Sequence, residues 1–241
     1  MKQGPLNLDK NIPLALGLAA VAAVYISLLL LSPSSWLPGD PAWAIQPDTI
    51  QELTDESLNF FFVLPILNIL GFTGMMAPDV HPVTQAFFNF AEAWIFMFLP
   101  LLQLDPRGAK LPTTLVWILA MFLTNVFLLP YMAIRLLQEP EAIAIEKGFI
   151  AKSFGAVSMI VGGIALFWGA VWQPEVGNLL TRGHFFLEEI LSNRVTFAFV
   201  VDVILFYCFQ IWLMGAIIPQ ESKERGLRYI PFFGLGLWLL V

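Results

Sequence analysis

The sequence predicts an all-α integral membrane protein built as a bundle of six spanning helices, with a short apolar C-terminal segment as a candidate seventh. Two observations carry this expectation. Of 241 residues, 58% are hydrophobic and only 12% are charged, about half the charged share of an ordinary soluble domain. The apolar residues also fall into runs of about 20, the length a helix needs to cross hydrocarbon. A soluble chain of this size needs a charged skin, and this one lacks the residues to make it.

The expected spans are residues 12–31, 58–76, 85–104, 111–136, 149–172 and 195–218, and the short segment is 230–241. The first run carries no charge and follows Lys2 and Lys10. It is long for a signal-peptide core, and the small-residue pair Ala42 and Ala44 lies far downstream, so it reads as a retained helix. Between Ser32 and Glu56 lies the longest linker, rich in proline and acids and free of Lys and Arg. Trp36 and Trp43 there suit the headgroup level. Residues 230–241 would be only about 18 Å long as a helix, short for a span. The whole chain reads as a single transmembrane domain.

Lys and Arg counts set orientation. With six spans, Lys2, Lys10, Arg135, Lys147, Lys152, Lys223, Arg225 and Arg228 fall on one side, and Arg107, Lys110, Arg182 and Arg194 on the other. That bias predicts a cytoplasmic N-terminus. The formal charge of −6 names no partner, and no basic tract points to nucleic acid. The single cysteine, Cys208, excludes a disulfide within the chain.

Charges inside hydrocarbon are the informative residues, because each costs at least ~2.5–3.5 kcal/mol and needs a partner or water. Glu92 lies near the middle of the third expected span and Asp202 about two turns into the sixth. Asn89 shares a helix face with Glu92. Asn68 and Asn125 sit mid-span in the second and fourth helices, so antiparallel neighbours would bring Asn68, Asn89, Glu92 and Asn125 together. That cluster reads either as a polar pocket or as interhelical glue. Gln210 lies two turns from Asp202 on one stripe, with Phe206 between them, and Arg194 is within plausible reach of Asp202.

Pro65, Pro100 and Pro130 interrupt expected spans and free backbone carbonyls, which Asn68 and Asn125 are placed to repair. Gly155, Ser158, Gly162, Ala165 and Gly169 form a small-residue stripe in the fifth span. Such a stripe admits a second backbone, from within the protomer or across a dimer or partner seam. Thr181–Ser192 reads as an amphipathic helix lying in the interface, with Phe186, Leu187, Ile190 and Leu191 on one face. His81 and His184 fall on opposite sides in this topology. Without a histidine pair or Cys-x-x-Cys, no metal or haem site is indicated.

The stretch Thr124-Asn125-Val126-Phe127-Leu128-Leu129-Pro130-Tyr131-Met132-Ala133-Ile134-Arg135 resembles uncharacterised multi-pass integral membrane proteins of cyanobacteria and plastids. The resemblance implies a thylakoid or plasma membrane home and brings no catalytic residues. The leading expectation is a non-catalytic protein that binds a membrane-protein partner, a second copy, lipid or a lipophilic pigment. The rival is an intramembrane enzyme or proton-linked carrier with a polar pocket around Glu92.

Overall fold

The computed structural model describes residues 8–51, 62–77, 79–141 and 146–241, with the side chains of 8–10 left aside. Among these residues the regular structure is helical, with no strand. The helices are α1 (Leu8–Ile26), α2 (Val63–Ile69), α3 (Pro82–Phe96), α4 (Phe98–Gln103), α5 (Thr113–Leu123), α6 (Asn125–Leu136), α7 (Phe149–Val171), α8 (Leu179–Ser192), α9 (Arg194–Ile217) and α10 (Phe233–Leu240). The chain divides into two compact units. The first holds Met1–Leu28, Ile95–Ala156 and Leu205–Val241, and the second holds Leu29–Trp94 and Val157–Ile204.

Four helices are long and apolar enough to cross a membrane: Asn11–Leu31, Pro82–Gln103, Phe149–Val171 and Arg194–Ile217. They match the first, third, fifth and sixth expected spans. The first runs through α1 into a π-helical turn over Ser27–Leu31. The second joins α3 to α4 across Met97, one turn before Pro100, whose ring denies the helix a donor there. Buried Trp94, Ile95, Met97, Phe98, Leu101 and Leu102 make this helix the most enclosed of the four.

The other two expected spans, and the candidate seventh segment, are not long enough to span among the described residues. The 58–76 run is reduced to α2, seven residues long, because Phe62 enters the left-handed region at φ 55 and Gly71 does so at φ 91. Its stretch 58–61 lies outside the described residues. Asn68, expected to sit mid-span, instead folds the exit of α2. Its Nδ2 donates to the carbonyls of Phe72 and Met75 at 2.8 and 2.9 Å, and its Oδ1 accepts from the Ala77 amide at 2.6 Å.

The 111–136 run breaks at Thr124, whose φ of 34 and ψ of −113 end α5 and start α6. The two limbs form a helical hairpin within the first unit. Near the entry, Gln103 reaches Thr114 at 3.4 Å, and the Trp117 indole donates to the Ile95 carbonyl at 3.1 Å, so α5 runs back along the helix before it. At the exit, the chain returns to the turn it left. Arg107 donates to the carbonyls of Leu136 and Gln138 at 3.1 and 3.3 Å, and the Glu141 amide donates to the Pro106 carbonyl at 2.9 Å. Each limb has 11 or 12 residues, about 17 Å of helix against the ~30 Å of hydrocarbon. Tyr25 of α1 lies 3.4 Å from Thr124 at the tip. Pro130 is accommodated inside α6, so the proline is not what divides the run.

The C-terminal segment is likewise short of a span, since α10 has eight residues. It packs inside the first unit. A Cβ on Gly155 would lie 2.9 Å from the Leu239 Cβ and 3.1 Å from the Gly236 carbonyl, so the small residue admits α10. Lys147 anchors the same helix, donating to the Trp238 carbonyl at 2.8 Å.

Candidate functional site

Glu92 and Asp202 lie in the second unit, on α3 and α9. Phe88 and Phe199 bring these helices together, their rings edge to face at 4.3 Å. One turn further along each helix stand Glu92 and Asp202, close enough to act on each other electrostatically. Asp202 is 2% exposed. The Oε2 of Glu92 is enclosed and has no hydrogen-bond partner among the described residues. The hydroxyls of Ser158 and Thr196, in the same unit, are also enclosed without one. An enclosed polar atom left unsatisfied costs about 1–3 kcal/mol, more when charged.

Of the four residues expected to form one polar pocket, Asn68, Asn89 and Glu92 lie in the second unit and Asn125 in the first. Asn89 is on the Glu92 helix and buried, but its amide is committed elsewhere. It accepts from the Phe62 amide at 2.7 Å and donates to the Gln85 carbonyl at 2.8 Å. It therefore secures the backbone where Phe62 turns left-handed. Asn68 is occupied by its own turn, as above. Asn125 is buried at the hairpin tip, in the first unit. Gln210 also belongs to the first unit and donates to the carbonyls of Arg228 and Ile230 at 3.2 and 2.8 Å. Glu92 and Asp202 are the acidic pair carried by two helices long and apolar enough to cross a membrane.

Arg194 does not serve Asp202. Its guanidinium donates to the carbonyls of Ser32, Leu37 and Pro38 at 2.8, 2.8 and 3.0 Å. Arg182 does similar work, collecting the carbonyls of Gly169, Trp172, Gln173 and Gly177. Both close loops that leave helix ends with unpaired acceptors.

The small-residue stripe is spent on packing within the chain. Gly155 admits α10, and a Cβ on Gly169 would lie 2.9 Å from that of Ala86. Ala165 joins Phe62, Ala86 and Trp168 in one apolar cluster. On α8, Phe186 packs against Phe87 at 4.9 Å while Leu187 and Leu191 stay exposed, so the expected apolar face is divided.

His81 and His184 are not on opposite sides. The His81 ring stacks on Phe185 at 3.6 Å, next in sequence to His184. The His81 Nδ1 accepts from the Val83 amide at 3.3 Å, a bond only the unprotonated nitrogen can make. Burial, and then the Arg182 charge, hold this imidazole below its ordinary value. Among the described residues no three His, Cys, Asp or Glu side chains converge as a metal would require.

One constellation lies outside the residues the sequence singles out. Asp105 falls in a turn and Arg135 near a helix end. They form a bidentate ion pair at 2.5 and 2.8 Å with exposures of 0% and 1%. Tyr131 adds its hydroxyl to Asp105 at 3.5 Å. The available signal was the turn Asp105-Pro106-Arg107-Gly108 facing a lone Arg at the end of an apolar run. Two spans, as expected, would have put the pair on opposite surfaces.

No protein-family model, curated protein or solved structure matches this chain.

Proposed function

We propose that this chain is a four-span integral membrane protein that takes up and releases a proton at the Glu92–Asp202 pair, as a proton-linked carrier does. The observation that carries this reading is the enclosed Oε2 of Glu92, without a hydrogen-bond partner among the described residues, with the Asp202 carboxyl on the neighbouring helix one turn beyond the Phe88–Phe199 contact. Two such groups in a low-dielectric interior cannot both stay ionised at small cost, so a proton taken up by one of them relieves the charge. The chain also shows what its structural glue looks like. Asp105 and Arg135 satisfy each other with two short bonds, and Asn89 has both its partners. Glu92 departs from that pattern.

Four crossings also sharpen the charge asymmetry. Lys2, Lys10, Arg107, Lys110, Arg135, Lys147, Lys152, Lys223, Arg225 and Arg228 then share one side, leaving Arg182 and Arg194 on the other. This supports a cytoplasmic N-terminus and makes α5–α6 a re-entrant hairpin from the inner surface. Irregular backbone at that depth is tolerable where protein covers it, and the Thr124 tip is buried. A thylakoid or plasma membrane home rests on the resemblance over residues 124–135.

The test is infrared difference spectroscopy of the protein in liposomes across a pH step. Wild type should show a carboxylic-acid carbonyl band that titrates, and Glu92→Gln should remove it while the amide bands stay unchanged. A band that survives in both Glu92→Gln and Asp202→Asn would refute the assignment.

A further inference from the structure

The first unit contains a cleft of ≈ 600 Å³ between the Asp105–Gly108 turn and the C-terminal end of α9. That volume is in the range of small-ligand sites. Its walls are apolar in part, from Ile217, Ile218 and Pro219, and carry two guanidinium groups, Arg107 and Arg225.

Each of these arginines spends one nitrogen on a helix end. Arg107 Nη1 caps the carbonyls of Leu136 and Gln138, and Arg225 Nη1 caps that of Ile218 at 2.5 Å. Neither makes an ion pair among the described residues. Asp105 lines the same cleft but is taken by Arg135. Glu221, also on the wall, is exposed. Two cations are thus held by backbone dipoles, with the rest of each planar fork uncommitted and no committed anion facing them. Burial and the nearby Arg135 charge both push the Arg107 guanidinium down from its ordinary value, against the smaller pull of Asp105. An added anion would relieve that strain.

We infer that this cleft binds a phosphate-bearing anion, with Arg107 and Arg225 as its two guanidinium donors. Guanidinium forks match phosphate oxygens in pairs. The shared chemistry has two sources, the headgroup of an anionic lipid and a free phosphate. The apolar wall and the position at the basic side of the spans suit an inner-leaflet lipid. The inference is independent of the Glu92 pair, which lies in the other unit.

Native mass spectrometry of the full chain released from mild detergent tests it, with equal phosphatidylglycerol and phosphatidylcholine as probes. Phosphatidylglycerol should be retained preferentially. Arg107→Gln and Arg225→Gln should each cut that retention about tenfold, the loss of one charge-assisted pair. Arg225→Lys should keep part of it. Glu221→Arg, an exposed change that leaves the caps intact, should raise it. If inorganic phosphate alone raises the melting temperature of wild type but not of Arg107→Gln, while neither lipid is preferred, the anion is a soluble phosphate. Equal retention of both lipids with no phosphate effect overturns the inference. So does a folded Arg107→Gln, Arg225→Gln double variant that behaves as wild type. Glu221→Arg without effect on either probe overturns it even if the glutamine variants do not fold.

Discussion

A single residue can be buried at little cost or great cost, depending on what faces it. Asp105 and Arg135 face each other, so their burial is tolerable only while both are present. Arg135→Gln should lower stability by about 3–5 kcal/mol, because it strands a buried carboxylate. The double change Asp105→Asn, Arg135→Gln should recover part of that loss, and thermal melting in detergent measures both. His81 gives a pH-dependent counterpart. Its folded-state value lies below the ordinary 6.5, through burial first and Arg182 second, so folding favours the neutral ring. Its contribution is whole above that ordinary value and is lost as pH falls through the folded-state value. Hydrogen exchange over residues 179–192 should therefore quicken on acidification. His81→Phe keeps the stack on Phe185 and should flatten the pH profile.

At the scale of elements, small residues decide which helices meet. Gly155 lets α10 lie against α7, and Gly169 does the same for α3. Gly155→Ile should displace α10 and break the Lys147–Trp238 contact, which sits with Nζ 5.0 Å from the ring centroid. The expected reading is a red shift of Trp emission and faster proteolysis near residue 229, without loss of the other helices by circular dichroism. Gly108 is held as tightly. A Cβ there would fall 2.5 Å from the Tyr131 hydroxyl and 3.0 Å from the Leu102 carbonyl. Gly108→Ala should thus open the turn on which both ends of the hairpin converge.

For the whole molecule, the count of crossings is the quantity that matters. A re-entrant hairpin leaves residues 110 and 138 on one side of the membrane, whereas a full span puts them on opposite sides. With Cys208 replaced by Ser, single cysteines at Lys110 and Gln138 should react alike with an impermeant maleimide in sealed vesicles of known orientation. A cysteine at Gln46 should show the reverse accessibility. Opposite labelling of 110 and 138 would restore the spanning helix and undo the charge recount.

Composition and run length by themselves predicted an all-helical chain suited to hydrocarbon, and the four helices long and apolar enough to cross it are among the six runs they marked. Those are local properties, since some 20 apolar residues bury a helix wherever it packs. Glu92 and Asp202 were each legible singly, because a carboxyl inside an apolar run is anomalous before any fold is known, but their pairing was not. Tertiary structure alone decided which apolar runs stop halfway. Thr124 and Phe62 adopt backbone angles no propensity demands, and they do so where distant partners hold them: Tyr25 at Thr124, and Asn89 at Phe62. It alone also joined Asp105 to Arg135 and set Arg107 and Arg225 on the walls of one cleft, since pairing across 30 residues or a hundred depends on which ends of helices converge. A run of apolar residues states its solvent; it does not state where the chain turns back.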